Sequence, residues 1–330
     1  MWFKIAMIFV IMILFFAAVM VIDNHRFVVR RYTLRSAKVR YPVRLVFIAD
    51  LHEKSYGRDN EAIVEAVSSL DPDAVLVGGD LIVSGKVKRD ARRQENGKGV
   101  PEPADTGWMR NSLSLMKRLG RISKVWFVSG NHEGRLSYYK EYRQYNRLFI
   151  EEMEKAGVRF LHNECADPCA EAHDGADSGI RLQGLELPMR YYKKFTKMEL
   201  TQEELGRLLG EADPSVYTVL LSHMPVYFEQ YAVWGADLCL CGHVHGGLMR
   251  LPLIGGVMGT RPNLFPKYSG GQYSFPKGSG ESGEKSTMIL TCGLGMHTLP
   301  IRIFNPGEIS CVDLLPDRQQ QMEAIWNKTE

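Results

Sequence analysis

Eighteen consecutive apolar residues, Ile5 to Ile22, constrain this chain more than any other stretch of it. At about 1.5 Å rise per residue, a helix of that length reaches roughly 27 Å, close to the hydrocarbon thickness of a bilayer. A buried core helix this long would carry a polar stripe, and the run has none. A cleavable signal would place small residues just before its cleavage point, but Phe15, Phe16, Val19 and Met20 interrupt Ala17 and Ala18. Residues 1–23 are therefore expected to form an uncleaved, single-pass membrane anchor.

A basic collar follows: Arg26, Arg30, Arg31, Arg35, Lys38, Arg40 and Arg44, with no acidic residue between Asp23 and Asp50. Only Lys4 precedes the apolar run, so the positive-inside rule predicts a cell-membrane protein with its body in the cytoplasm. Residues 24–43 read as a solvated juxtamembrane linker whose cations would attract anionic headgroups at about 1 kcal/mol each. The formal net charge of +3 hides this asymmetry, because the remainder of the chain is mildly acidic. Beyond the collar, basic residues concentrate between Lys86 and Arg93 without aromatic interleaving, so no nucleic-acid partner is expected.

At 45% hydrophobic and 24% charged, the rest of the 330 residues is apolar enough to fold, and disorder is excluded. Short β-branched runs at Arg44–Ala49, Ala74–Val77, Lys124–Val128, Val216–Leu221, Ala236–Leu240 and Thr287–Leu290 read as strands buried on both faces. Helices are expected around Asn60–Leu70, Trp108–Leu119, Ser137–Ala156 and Thr201–Leu209, the last opened by the capping pair Thr201 and Glu204. Such alternation argues for an α/β domain. Ser84–Gly107 and Cys165–Gly179 read as insertions. Of six cysteines, Cys239 and Cys241 alternate with leucines and are expected to be small core residues.

Chemistry gathers where the strands stop. The first five end in Asp50-Leu51-His52, Gly79-Asp80, Gly130-Asn131-His132-Glu133, Ser222-His223 and Gly242-His243-Val244-His245. Ligands collect at the carboxyl edge of open α/β sheets, so these residues can converge despite their separation in sequence. In D-x-H and H-x-H the i, i+2 spacing would put both side chains on one side of an extended strand end. Imidazole, carboxylate and amide donors without thiolate suit manganese, iron or zinc. Seven ligands, Asp50, His52, Asp80, Asn131, His223, His243 and His245, exceed one ion and fit two divalent ions bridged by a carboxylate.

This order, D-x-H, G-D, G-N-H-E, H and G-H-x-H, resembles that of the calcineurin-like metallophosphoesterases, from about Arg44 to Leu315. The stretches GHVHGGLMRLPLIGG, LFPKYSGGQY, GLG and PIRIFNPGEI look like the membrane-associated bacterial phosphodiesterase branch, whose members include a pyrophosphatase of UDP-diacylglucosamine. The resemblance implies a four-layer αββα sandwich over 44–316, followed by a polar tail at 317–330. It places Asp50, His52 and His245 on a first metal, Asp80 as the bridge, and Asn131, His223 and His243 on a second. His132 matches the family's catalytic residue, which contacts the phosphate and protonates the leaving oxygen. Glu53 departs from the branch, which often has Asn after D-x-H.

The expected activity is hydrolysis of a phosphodiester or pyrophosphate by hydroxide generated between two metals. A phosphomonoesterase or nuclease of the same superfamily is the alternative, and a non-catalytic scaffold is disfavoured by the intact ligand set. With the anchor and the apolar loop Leu248–Ile254 next to His245, the substrate is expected to be lipid-linked or membrane-proximal.

Overall fold

A computed structural model of the chain describes residues 1–88, 106–169, 176–193, 198–251, 253–259, 264–280, 283–296 and 299–317. The expected tail at 317–330, beyond Asp317, and most of the insertion at 84–107 lie outside the described residues. The apolar run forms α1 (Trp2–His25), the one described helix long and apolar enough to cross a membrane.

The strands that follow alternate between two destinations. β1 (Phe27–Ser36), β2 (Val43–Ile48), β3 (Ala74–Val77), β4 (Lys124–Phe127) and β5 (Val158–Phe160) belong to one six-stranded sheet. β6 (Cys165–Ala166), β7 (Ile180–Leu185), β8 (Tyr217–Ser222) and β9 (Leu238–Cys241) belong to a second. A small hairpin, β10 (Arg250–Leu251) and β11 (Gly255–Gly256), stands apart. β12 (Gly271–Pro276) and β13 (Lys285–Leu290) extend the second sheet, and β14 (Gly307–Pro316) returns to the first. The orders are β1-β14-β2-β3-β4-β5 and β12-β13-β9-β8-β7-β6, with parallel pairing at the centre of each.

Period-two alternation explains the layering. On β2, Leu45 and Phe47 face the second sheet, where they meet Val219, Leu221, Leu238 and Leu240, all fully buried. Val46 and Ile48 face outward beneath the helices α2 (Glu61–Leu70) and α3 (Arg110–Leu119). Helix α2 supplies Ile63, Val67 and Leu70 at helical spacing, and α3 supplies Leu115, Met116 and Leu119. On the far side, α6 (Gln202–Leu209) and α7 (Phe228–Trp234) cover β8, β9 and β13 with Leu205, Phe228 and Tyr231. Cys239 and Cys241 lie in that outer core, as expected. The layers thus run helix, sheet, sheet, helix, the expected four-layer αββα arrangement. Thr201 caps α6 by accepting the Glu204 N–H at 3.1 Å.

Three expectations need correction. The segment 24–43 is not a linker, because β1 pairs in parallel with β14 along ten residues. Five of the seven collar cations meet body carboxylates or Asp23: Arg26 with Asp23, Arg30 with Glu308, Lys38 with Asp237, Arg40 with Asp177 and Arg44 with Asp313. Second, the helix expected over Ser137–Ala156 is two helices, α4 (Asn131–Tyr138) and α5 (Arg143–Lys155). The break lets α4 start at Asn131 on the Gly130 cap while α5 turns Tyr145, Phe149 and Met153 into the core. Third, β1, β5, β7, β12 and β14 are strands that the sequence reading lacks; β1 and β12 are edge strands, and β12 alternates half-buried with exposed residues. In hydrogen exchange, amides of β1 that face β14 are expected to be protected about a hundredfold or more, and linker-rate exchange there would contradict the pairing.

Candidate functional site

All seven sequence-chosen ligands and His132 converge at one place, drawn from the ends of both sheets. Asp50 and His52 follow β2, Asp80 follows β3, Asn131 and His132 open α4 after β4, His223 follows β8, and His243 and His245 follow β9. Three groups of donor atoms lie within 4.8 Å of one another: Asp50 with His52 and His245, His52 with Asp80 and His132, and Asp80 with His223 and His243. The expectation of extended strand ends fails locally. Asp50, His52, Asp80, His243 and His245 have φ between 49° and 76°, so each side chain is aimed by a left-handed backbone turn. Non-glycine residues tolerate this only where surrounding structure over-determines it.

The surroundings do so. Gly242 lies so near Asp50 that an added Cβ would come within 2.7 Å of Oδ2, while the His243 N–H donates to that same oxygen at 2.9 Å. The His132 N–H donates to Asp80 Oδ1 at 2.7 Å, leaving Oδ2 directed at the imidazoles, 3.2 Å from His223 Nε2 and 4.0 Å from His52 Nε2. Glu133 holds two strand ends together. Its carboxylate accepts N–H bonds from Asp80 and Gly130 on Oε2, and from Leu81 and Ile82 on Oε1.

The imidazoles divide by their outer partners. Nδ1–H of His52, His223 and His245 donates to the carbonyls of Ile82, Gly78 and Gly295 at 3.2, 2.7 and 3.1 Å. With Nδ1–H so committed, Nε2 is the atom each ring has left for a metal; with no metal beside it, His223 is desolvated by burial, yet the Asp80 charge prevails and raises it to about 9. His132 is reversed. Its Nδ1 accepts the Ser84 N–H at 2.9 Å, which leaves the proton on Nε2, 4.0 Å from Asp80 Oδ2. His132 is thereby set as a proton donor facing the site, although its position alone would admit it as a ligand.

The cluster fits cations. The bare Nε2 atoms of His52 and His245 face each other at 3.3 Å, an arrangement that a shared positive charge stabilises. Asn131 Oδ1 is buried without a hydrogen-bond partner, as a carbonyl aimed at a metal would be. Burial pushes Asp50 up to about 7 against the pull of His223. Burial acts on Asp80 too, but His223 and His132 outweigh it and hold that carboxyl well below the usual range. Glu133 is pushed up to about 7 by burial and by the Asp80 charge. Two buried carboxylates, Asp50 and Asp80, turned toward the same imidazoles call for positive charge between them.

Several residues were given no role by sequence reasoning. Glu133 and Ser84 act as above. Glu53, the departure from the branch, turns away from the cluster and accepts the N–H groups of Asn111 and Ser112 at the start of α3. Arg302 is fully buried and donates to the carbonyls of Cys292, Gly293, Gly295, Asn305 and Pro306. It thus fixes the carbonyl that orients His245. Asn305 donates to the His245 carbonyl at 2.8 Å, and its own N–H donates to Asp23 Oδ2 at 2.9 Å. Beside the cluster opens a cleft of about 730 Å³ lined by Gly130, Arg135, Tyr138, Tyr139, Arg190 and Tyr192. Tyr192 packs edge-on against His243 at 5.8 Å. Glu133 and Arg302 stand inside the quoted GNHE and PIRIFNPGEI stretches, yet no spacing rule reveals backbone carbonyls and amides as their targets.

Replacing Glu133 by Ala leaves four buried N–H groups without their acceptor. The expected result is a loss of at least about 3 kcal/mol in unfolding free energy together with lowered metal stoichiometry, checked by denaturant titration and elemental analysis.

Comparison with known proteins agrees with this geometry. The profile of the calcineurin-like phosphoesterases matches residues 43–247. An uncharacterized metallophosphoesterase of Helicobacter pylori is 24% identical over 86% of this chain, and the chain spans 62% of that relative's length. Phosphodiesterase YaeI of Escherichia coli is 22% identical over 65% of this chain and 64% of its own. The UDP-2,3-diacylglucosamine pyrophosphatase LpxG of Chlamydia muridarum is 24% identical over 81% of this chain and 82% of its own. A family match across more than half of the residues, over the segment that carries every donor of the cluster, makes this chain a member of the calcineurin-like phosphoesterase family.

Proposed function

We propose that this protein is a membrane-anchored, metal-dependent phosphodiesterase or pyrophosphatase acting on a lipid-linked or membrane-proximal substrate. The observation that carries the reading is the opposed tautomer setting within one buried cluster: three imidazoles fixed as bare-nitrogen donors and a fourth, His132, fixed as an N–H donor. Asp50, His52 and His245 would hold one divalent ion and Asn131, His223 and His243 a second, with Asp80 between them. Manganese, iron or zinc bound there would supply polarisation of the phosphoryl oxygens and acidification of water.

The protein's own groups do the rest. His132 Nε2–H is positioned to donate a proton or hydrogen bond to the departing oxygen, a role worth about 10²- to 10⁴-fold in rate. Ser84 sustains that tautomer, and the Arg135 guanidinium donates to Ser84 Oγ at 3.2 Å, which turns the hydroxyl proton toward His132 Nδ1, 3.0 Å away. The cleft lined by Arg135, Arg190 and the three tyrosines offers cationic and aromatic walls for the organic part of a phosphodiester. The lipid-linked class is supported by α1 and by the similarity to the LpxG pyrophosphatase. The cytoplasmic side for the body is supported by the seven collar cations, which count toward topology whether or not a carboxylate neutralises them after folding.

Full-length protein in detergent, stripped with chelator and reloaded with manganese, is expected to regain hydrolysis of a bis-nitrophenyl phosphodiester, and activity indifferent to metal would sink the reading. Asp80→Asn is expected to lose metal and activity together. His132→Ala should keep its metal content while turnover falls about 10²- to 10⁴-fold. A lipid-linked pyrophosphate or phosphodiester in mixed micelles is expected to be cleaved faster than its soluble headgroup analogue; equal rates would remove the lipid-linked class and leave the chemistry.

A further inference from the structure

Helix α1 does not leave the body at its last apolar residue. Phe16, Val19, Met20 and Asn24 are half-buried and Asp23 is buried, a stripe at i, i+3, i+4, i+7 and i+8 spacing. The stripe faces the segment 299–305. Phe304 packs against Phe15 and Phe16 with ring centroids at 6.3 and 6.2 Å, Asn24 donates to the Pro300 carbonyl at 2.6 Å, and Asp23 accepts the Asn305 N–H.

Length then fixes depth. Phe16 lies about 9 Å along the axis from Ile22. If the bilayer ended above Phe304, the apolar residues left to span it would be Ile5 to Phe15, about 16 Å of helix against roughly 30 Å of hydrocarbon. With Lys4 at the far end, Phe304 must lie below the headgroups whenever α1 spans.

The surface around Phe304 suits that depth. Among the described residues that follow α1, eleven large hydrophobic side chains are exposed, and seven belong to two neighbouring segments: Leu253, Ile254, Met258, Leu264 and Phe265 on one, Leu299 and Phe304 on the other. The segments are joined, because the Ile303 N–H donates to the Leu248 carbonyl and the Arg250 N–H to the Ile303 carbonyl, and Phe304 shares a cleft with Leu251, Leu253 and Ile254. Part of their described backbone is paired internally. Ile303 N–H donates to Leu248, Arg250 N–H to Ile303, Val257 N–H to Met249 and Phe265 N–H to Val257, at 2.9 to 3.2 Å. Such pairing removes these amides from the unsatisfied groups that oppose entry of chain into the hydrocarbon edge.

We infer that the body is itself embedded in lipid: the segments 248–251, 253–258, 264–265 and 299–304 insert beside α1 into the leaflet from which that helix emerges. The surface takes acyl chains, and it seats the metal cluster at headgroup level, since Asn305 at the base of the inserted segment holds the His245 carbonyl. The inference rests on the reading that α1 spans the membrane.

Depth-dependent quenching tests it on the full-length protein in liposomes. In a Cys165→Ser background, where the remaining five thiols are buried, an environment-sensitive fluorophore is attached at Leu253→Cys, Leu264→Cys, Leu14→Cys or Arg121→Cys. Arg121 is exposed on the turn entering β4, at the edge opposite the cluster. Labels at Leu253, Leu264 and Leu14 are expected to be quenched by chain-spin-labelled lipid at least about twofold more than at Arg121, and to resist an aqueous quencher. If Leu14 is quenched by lipid while Leu253 and Leu264 behave like Arg121, the inference falls and the spanning helix stands. Shielding of Leu253 and Leu264 from both quenchers would mean a protein cover, such as a second copy, and would overturn it. Aqueous access at Leu14 overturns both.

Discussion

Two carboxylates with essentially no exposure, Asp50 and Asp80, sit where the two sheets of this protein converge, and much of the structure serves that burial. Isolated charges are not stable in such a place, so each is hydrogen-bonded on one side and turned toward imidazoles on the other. The left-handed turns at the ends of β2, β3 and β9 aim them. The close approach of Gly242 to Asp50 leaves no room for a larger residue, and Glu133 binds the turn after β3 to the start of α4. The cost of strained backbone at five donors is met by rigid parallel strands beneath them, whose residues Phe47, Val77, Leu221 and Leu240 are fully buried.

Outer contacts, more than donor identity, set the chemistry of four of the imidazoles. Carbonyls of Ile82, Gly78 and Gly295 make His52, His223 and His245 electron-pair donors, whereas one backbone amide, that of Ser84, makes His132 a proton donor. The Gly295 carbonyl is in turn held by Arg302, and the His245 carbonyl by Asn305. Because Asn305 also reaches Asp23, the end of α1 lies two hydrogen bonds from a candidate ligand. Helix α1 and the donor cluster are parts of one packed unit.

The collar illustrates how a charge pattern changes meaning on folding. As a string of cations it reads as a solvated linker, yet Arg30, Lys38, Arg40 and Arg44 meet carboxylates contributed from residues 177 to 313, and the backbone between them forms an edge strand. Nothing in the local sequence shows those partners, because β14 joins the first sheet only after the second is complete. Short continuous apolar runs likewise exposed β2, β3, β4, β8, β9 and β13, which are apolar on both faces, and gave no sign of the edge strands β1 and β12, where about half the side chains face solvent.

From sequence alone came the spanning length of Ile5–Ile22, the α/β alternation and the eight chemically competent residues at the strand ends, since apolar periodicity and side-chain type are local properties; the four-layer class came from the resemblance that those motifs carry. Tertiary structure alone decided how those residues face each other. It assigned the tautomers through backbone groups distant in sequence, gave Glu133, Ser84, Arg302 and Asn305 their roles, and laid the last turns of α1 along the loop at 299–305. Those outcomes depend on which carbonyl or amide is brought beside which side chain, and only the assembled sheets determine that.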